Sequence, residues 1–196
     1  MRTAIRVLAV ALALAAGAAL AAAAAEEVAI CFNYGCQEQT VVRYSPLQLG
    51  QVQREFVEVD SPAAERAAIA RAVAWLYFYA GTQSPIWRDR GGNFDDDDTQ
   101  PGRMDCIDHS TNTTTYLQLI ERHGWLKFHA AGERVQRGRM LSDHWAARVV
   151  ERASREEWVV DTWFLDPGLP ASVYPLKAWL DGAEPAGFRD TPHSAQ

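Results

Sequence analysis

An α+β fold, with a cysteine-bearing helix packed on an antiparallel sheet, is what this 196-residue sequence predicts. Three observations carry that expectation. Helically spaced apolar residues follow a start signal at Ser61-Pro62 and lie again behind Asp105-Cys106. Short β-forming runs flank a tight loop near the N-terminus, at Val28-Ala29-Ile30 and Thr40-Val41-Val42. Further strand-like segments follow residue 125, two of them joined by a short loop at 152–157.

The first 25 residues read as a leader. Arg2 and Arg6 precede an uncharged Ala/Leu/Val run over 7–25 with overlapping Ala-x-Ala sites, and charge returns at Glu26 and Glu27. Cleavage before Glu26 is expected, which sends the protein to a periplasmic or extracellular space. An uncleaved N-terminal anchor is the alternative. No Cys follows the run where a lipid anchor would need one. Removing the leader leaves 171 residues, enough for one domain over 26–184 with a real core. It also leaves 17 basic against 25 acidic residues, a net charge near −8, which argues against a nucleic acid or an anionic membrane surface as partner.

The elements follow in order. Residues 26–44 read as a β-hairpin, with Cys31 and Cys36 flanking its Phe32-Asn33-Tyr34-Gly35 loop. A disulfide between them suits an oxidising compartment. That pairing leaves Cys106 over, either reactive or buried; a bridge from Cys106 to Cys31 or Cys36 is the competing arrangement. Ser45-Pro46 opens a short helical segment towards Phe56, although 52–59 could instead be extended. Behind Ser61-Pro62, Ile69, Val73, Leu76, Tyr77 and Ala80 share one helical face, with Glu65, Arg66 and Arg71 assigned to the other, and Gly81 ends the helix.

Residues 82–104 form a long Gly-, Pro- and Asp-rich loop leading into the cysteine, a candidate cleft wall. A helix over 106–123 stops at Gly124, and Asp105 and Asp108 are placed to cap it. Its threonines are poor helix formers unless the helix is packed on several sides and the hydroxyls bond back to the preceding turn. Strands are expected at 125–129, 144–151 and 158–164. A helical turn at 176–180 and a disordered tail over 185–196 complete the chain.

A thiol at a helix N-terminus, a His opening one strand and an Asp closing the next supply the parts of acyl transfer. Cys106 is the candidate nucleophile, favoured as a thiolate by the helix end. His144 is the candidate acid/base, and Asp161 the group that orients it. The Cys106 amide is one oxyanion donor by geometry; Gln100, Trp87 and Asn93 are candidates for a second. His109 is the rival base, one helical turn beyond the thiol. His123 and His129 read as surface or strand-end residues. Asp105, Cys106, Asp108 and His109, with the Asp run at 95–98, are ligand-type residues lacking any established metal spacing, so no metal and no cofactor is assigned. A sequon at Asn112 is discounted because it falls within the expected helix.

The order and spacing of Cys106, His144 and Asp161, with Trp158 just before the Asp, resemble the transglutaminase-like branch of the papain-like cysteine enzymes over residues 65–165. After His144 the chain reads Trp145-Ala146, where that family more often has Ala then Trp. The resemblance implies a papain-like fold and an exported peptidase, amidase or transamidase acting on peptide or protein amides. A catalytically inactive relative that binds peptides or cell-envelope components is the alternative.

Overall fold

The computed structural model describes residues 25–92, 100–139 and 142–188. The leader through residue 24, Asn93, the Asp run at 95–98 and the tail from 189 onward lie outside the described residues. Mixed helices and antiparallel sheets make this an α+β fold. β1 (Glu26–Phe32) and β2 (Glu38–Tyr44) form the N-terminal hairpin, paired from Glu26↔Tyr44 to Phe32↔Glu38. Its turn is closed by the Cys31–Cys36 disulfide and carries four successive residues with positive φ, Asn33, Tyr34, Gly35 and Cys36. Two short-range constraints thus fix one turn.

The helix start signals act as the sequence implied. α1 (Pro46–Arg54) is capped reciprocally by Ser45 and Gln48 and ends before 55, so the extended alternative over 52–59 does not occur. α2 (Pro62–Gly81) starts under a Ser61 cap. Its assignment to a single buried face needs correction. Ala68, Ala70, Ala72 and Ala74 are buried with Ile69, Val73 and Leu76, and so is Glu65. Glu65 turns inward because its carboxylate accepts the amides of Lys127, Phe128 and His129 and bonds His129 Nδ1 at 2.8 Å. Those contacts hold the carboxyl below its ordinary range although burial opposes them.

The same carboxylate explains a second difference. Residues 125–128, expected as strand, form a loop in which the Lys127 and Phe128 amides turn to Glu65 instead of joining a ladder. The strand begins at His129, which is fully buried and not on the surface. β3 (His129–Arg139), β4 (Ser142–Glu151), β5 (Glu157–Asp161) and β6 (Ser172–Pro175) form a four-stranded antiparallel meander in that order. β3 carries a register shift between Gly132 and Val135. β5 stops at Asp161, short of the expected 164, because the Asp161 side chain accepts the Trp163 amide and turns the chain.

α3 (Cys106–Arg122) packs on β3, β4 and β1. Its threonine content is tolerated as expected: Thr111 and Thr115 bond back to the carbonyls of Ile107 and Thr111, while Thr113 bonds Tyr77 and Thr162. Tyr116, Leu117 and Ile120 join α2, the hairpin and the sheet residues Val149 and Val160 in one core. A short 3-10 turn, Pro85–Arg88, interrupts the loop before α3. α4 (Leu176–Leu180) follows β6. The expected tail does not begin at 185: a turn brings Phe188 N to Pro185 O and buries the Phe188 ring. Among the described residues no helix is long and apolar enough to cross a membrane.

Candidate active site

The hairpin turn braces the start of α3. Asp105 caps the helix by accepting from the Ile107 and Asp108 amides, and its second oxygen accepts from Gly35 N at 2.9 Å. Asp108 accepts from Cys36 N at 2.7 Å and from Asp105 N. Asn112 bonds both the N–H and the carbonyl of Cys31, at 2.7 and 2.8 Å. Asn112 is therefore occupied inside the core and presents no surface sequon. Asn33 ties the turn to the loop ahead of the helix through Arg103 O and Gly102 N. Burial and the adjacent Asp105 charge push the Asp108 carboxyl up to about 7.

Cys106, the first residue of α3, is a free thiol and half-buried. Its sulfur lies 3.8 Å from Asp143 O, so it rests against the β4 backbone next to His144. The helix start does not deliver the ionised sulfur expected from sequence. Burial, followed by the Asp105 and Asp161 charges, pushes the thiol up to about 11; the Trp145 and Cys106 amides oppose this and lose.

His144 and Asp161 meet through the sheet register. Ala147 pairs with Val160, so Asp161 stands one step further along, on the face that His144 shares two residues down β4. His144 Nε2 is 2.7 Å from Asp161 Oδ2. The nearly inaccessible Asp161 also accepts from Trp179 Nε1 at 2.8 Å and Trp163 N at 3.1 Å. With Nε2 engaged, Nδ1 is the imidazole nitrogen left for proton transfer. The rings of Trp163, Phe164 and Trp179 surround His144, with centroids 4.8, 5.5 and 5.6 Å away. Arg137 lies over Trp179 and donates to the Trp179 and Ala183 carbonyls, holding α4 against the sheet.

The other sequence candidates sit elsewhere. His109 is buried between Asp89, 2.9 Å from Nε2, and Thr162, 3.0 Å from Nδ1, so both ring nitrogens are committed to the core. Trp87 is exposed, its Cβ facing Gly81 and its ring beneath Arg88. Gln100 is exposed beside the turn where Gly102 packs on Pro85. Among the described residues, neither side chain makes a hydrogen bond to Cys106. Among the described ligand-type residues, Asp105 and Asp108 brace the hairpin, and His109 faces Asp89. Asp108 groups with the sulfurs of Cys31 and Cys36, which are joined in the disulfide. Trp163, Phe164, Trp179 and Arg137 are the residues that sequence reasoning missed. The abundance of tryptophan was the visible signal, and it named no position.

No family model, curated protein or solved structure matches this chain.

Proposed function

We propose that the protein is a thiol-dependent acyl-transfer enzyme, a peptidase, amidase or transamidase, using Cys106, His144 and Asp161. One observation carries the reading: the sulfur lies against the backbone flanking a histidine whose far nitrogen is fixed by a buried carboxylate. The arrangement of a Cys-headed helix on an antiparallel sheet supports the transglutaminase-like, papain-like resemblance. The disulfide is compatible with an exported protein acting on peptide or protein amides outside the cytoplasm.

In this reading the resting thiol is neutral, because burial holds it above its ordinary range. As the sulfur attacks an amide carbonyl, its proton passes to His144 Nδ1, the S–C bond forms and negative charge develops on the oxygen. The carbonyl re-forms, the C–N bond breaks and the amine leaves with the proton from Nδ1. Water or another amine then attacks the thioester, gives a proton to the imidazole and releases the thiol. Asp161 holds the ring through Nε2 and stabilises the transient imidazolium.

The test is acylation by an activated p-nitrophenyl ester, followed by intact mass and peptide mapping. The expected result is an acyl group on Cys106 that turns over, with His144→Ala slowing turnover ~10²–10⁴-fold. Acylation elsewhere, or unchanged turnover in His144→Ala, rejects the reading. A second reading, an inactive binding module using the same residues, is favoured by the raised thiol and the aromatic rings packed beside Cys106. Failure of Cys106 to acylate leaves that reading standing.

A further inference from the structure

The aromatic cluster beside the thiol is completed by the chain's own C-terminal segment. Phe188 meets Phe164 edge-on at 4.8 Å and Trp163 at 5.9 Å. Those two rings are among the three lying against His144, and Cys106 and Tyr174 pack on the same cluster. Phe188 is 7% exposed, eight residues past the end of α4, on a turn with Gly187 at positive φ. Upstream, Arg137 fastens the chain at Ala183. An apolar wall thus flanks the candidate nucleophile and base, and a side chain of this protein occupies it.

We propose that the wall of Trp163 and Phe164 is the subsite for an aromatic or bulky apolar side chain of the acyl donor, and that Phe188 is its internal competitor. This rests on the acyl-transfer reading and names its substrate class. The offset and edge-on faces of the two rings suit a third aromatic ring. Occupancy by Phe188 shields the wall from water and makes substrate binding an exchange of one aromatic side chain for another. The segment lowers activity toward small acyl donors by covering the thiol, and toward aromatic donors by occupying their pocket.

The test uses the full chain and two chloroacetamides with the same reacting group, one N-phenethyl and one N-methyl. The thiolate displaces chloride from either: an S–C bond forms, the C–Cl bond breaks, and the thiol proton goes to solvent. Rates are read by intact mass for wild type, Phe188→Ala and Phe188→Leu, the last as a conservative variant that retains apolar bulk. In Phe188→Ala the phenethyl-to-methyl rate ratio should rise about tenfold, the discrimination available to an apolar pocket, with Phe188→Leu intermediate. A ratio unchanged in both variants, including one in which both reagents speed up equally, overturns the subsite. The ratio is also read in His144→Ala, alone and with Phe188→Ala. If Phe188→Ala still raises it while ester turnover proves independent of His144, the subsite stands and the acyl-transfer reading falls. If His144→Ala abolishes turnover and the ratio does not respond to Phe188, the reverse holds.

Discussion

A pH titration of Cys106 alkylation, in wild type and in Asp105→Asn, probes the charge environment of the thiol directly. With its pKa pushed up to about 11, the thiol at pH 8 lies three pH units below its midpoint, so ~1 molecule in 1,000 carries a thiolate. An unperturbed thiol near 8.5 would be about one-quarter ionised at that pH. Iodoacetamide should therefore react with Cys106 roughly two orders of magnitude more slowly than with a small thiol at pH 8. The rate should climb about tenfold per pH unit and still be rising at pH 10. Asn caps a helix about as well as Asp, so Asp105→Asn removes a charge that opposes the thiolate while keeping the Ile107 and Asp108 amides satisfied. Its profile should move to lower pH and remain above that of a free thiol, because burial, the largest cause, is untouched. A wild-type plateau below pH 8.5 would refute the neutral resting thiol and indicate a thiolate already formed in the free protein. A shift to higher pH in Asp105→Asn would refute the assigned role of that carboxylate.

Three further outcomes are expected. Asp108, raised from 3.8 to about 7, favours its protonated form in the fold; its contribution is complete below pH 3.8 and lost as pH rises through 7. Melting temperature should fall across that window, and Asp108→Asn should flatten the fall; an equal fall in both proteins would place its origin elsewhere. Glu65 is shifted the other way, so its contribution is present above pH 4.5 and lost in acid. Truncating this buried acceptor by Glu65→Ala should cost about 3–5 kcal/mol in urea denaturation, and a loss below about 1 kcal/mol would mean the three amides had found other partners. Arg137→Met should cost about 2–3 kcal/mol from its bonds to two carbonyls and loosen α4, read as increased quenching of tryptophan fluorescence by acrylamide. Unchanged quenching would show that α4 is held by other contacts.

What was legible in the sequence is what short-range chemistry determines. Ser61-Pro62 and Asp105 sit where α2 and α3 begin, and the spacing of Cys31 and Cys36 marked a turn. The proximity of His144 and Asp161 was legible because adjacent antiparallel strands bring the start of one to the end of the next. β3 escaped notice because Gly132, Gly138 and its charged residues obscure alternation, and its ladder is broken by a bulge. The loop at 125–128 was misread because Glu65, about 60 residues earlier in the chain, decides its backbone. Phe188 and Trp179 return to the site by long-range packing that no local period encodes. The raised Cys106 thiol follows from burial and from the Asp105 and Asp161 charges, which outweigh a helix-start amide that acts in the expected direction.

The closed turn also bears on the order in which sulfurs find one another. Cys31 and Cys36 are 5 residues apart, whereas Cys106 is 70 residues beyond Cys36. Encounter frequency in an unfolded chain falls roughly as the three-halves power of loop length, so the near pair meets on the order of fiftyfold more often than either meets Cys106. Oxidation before folding then removes the two competing thiols and leaves the third reduced. A chain lacking Cys36 would give Cys31 no near mate and turn it on Cys106. Before it braces any helix, the small ring acts as a chaperone for a distant sulfur.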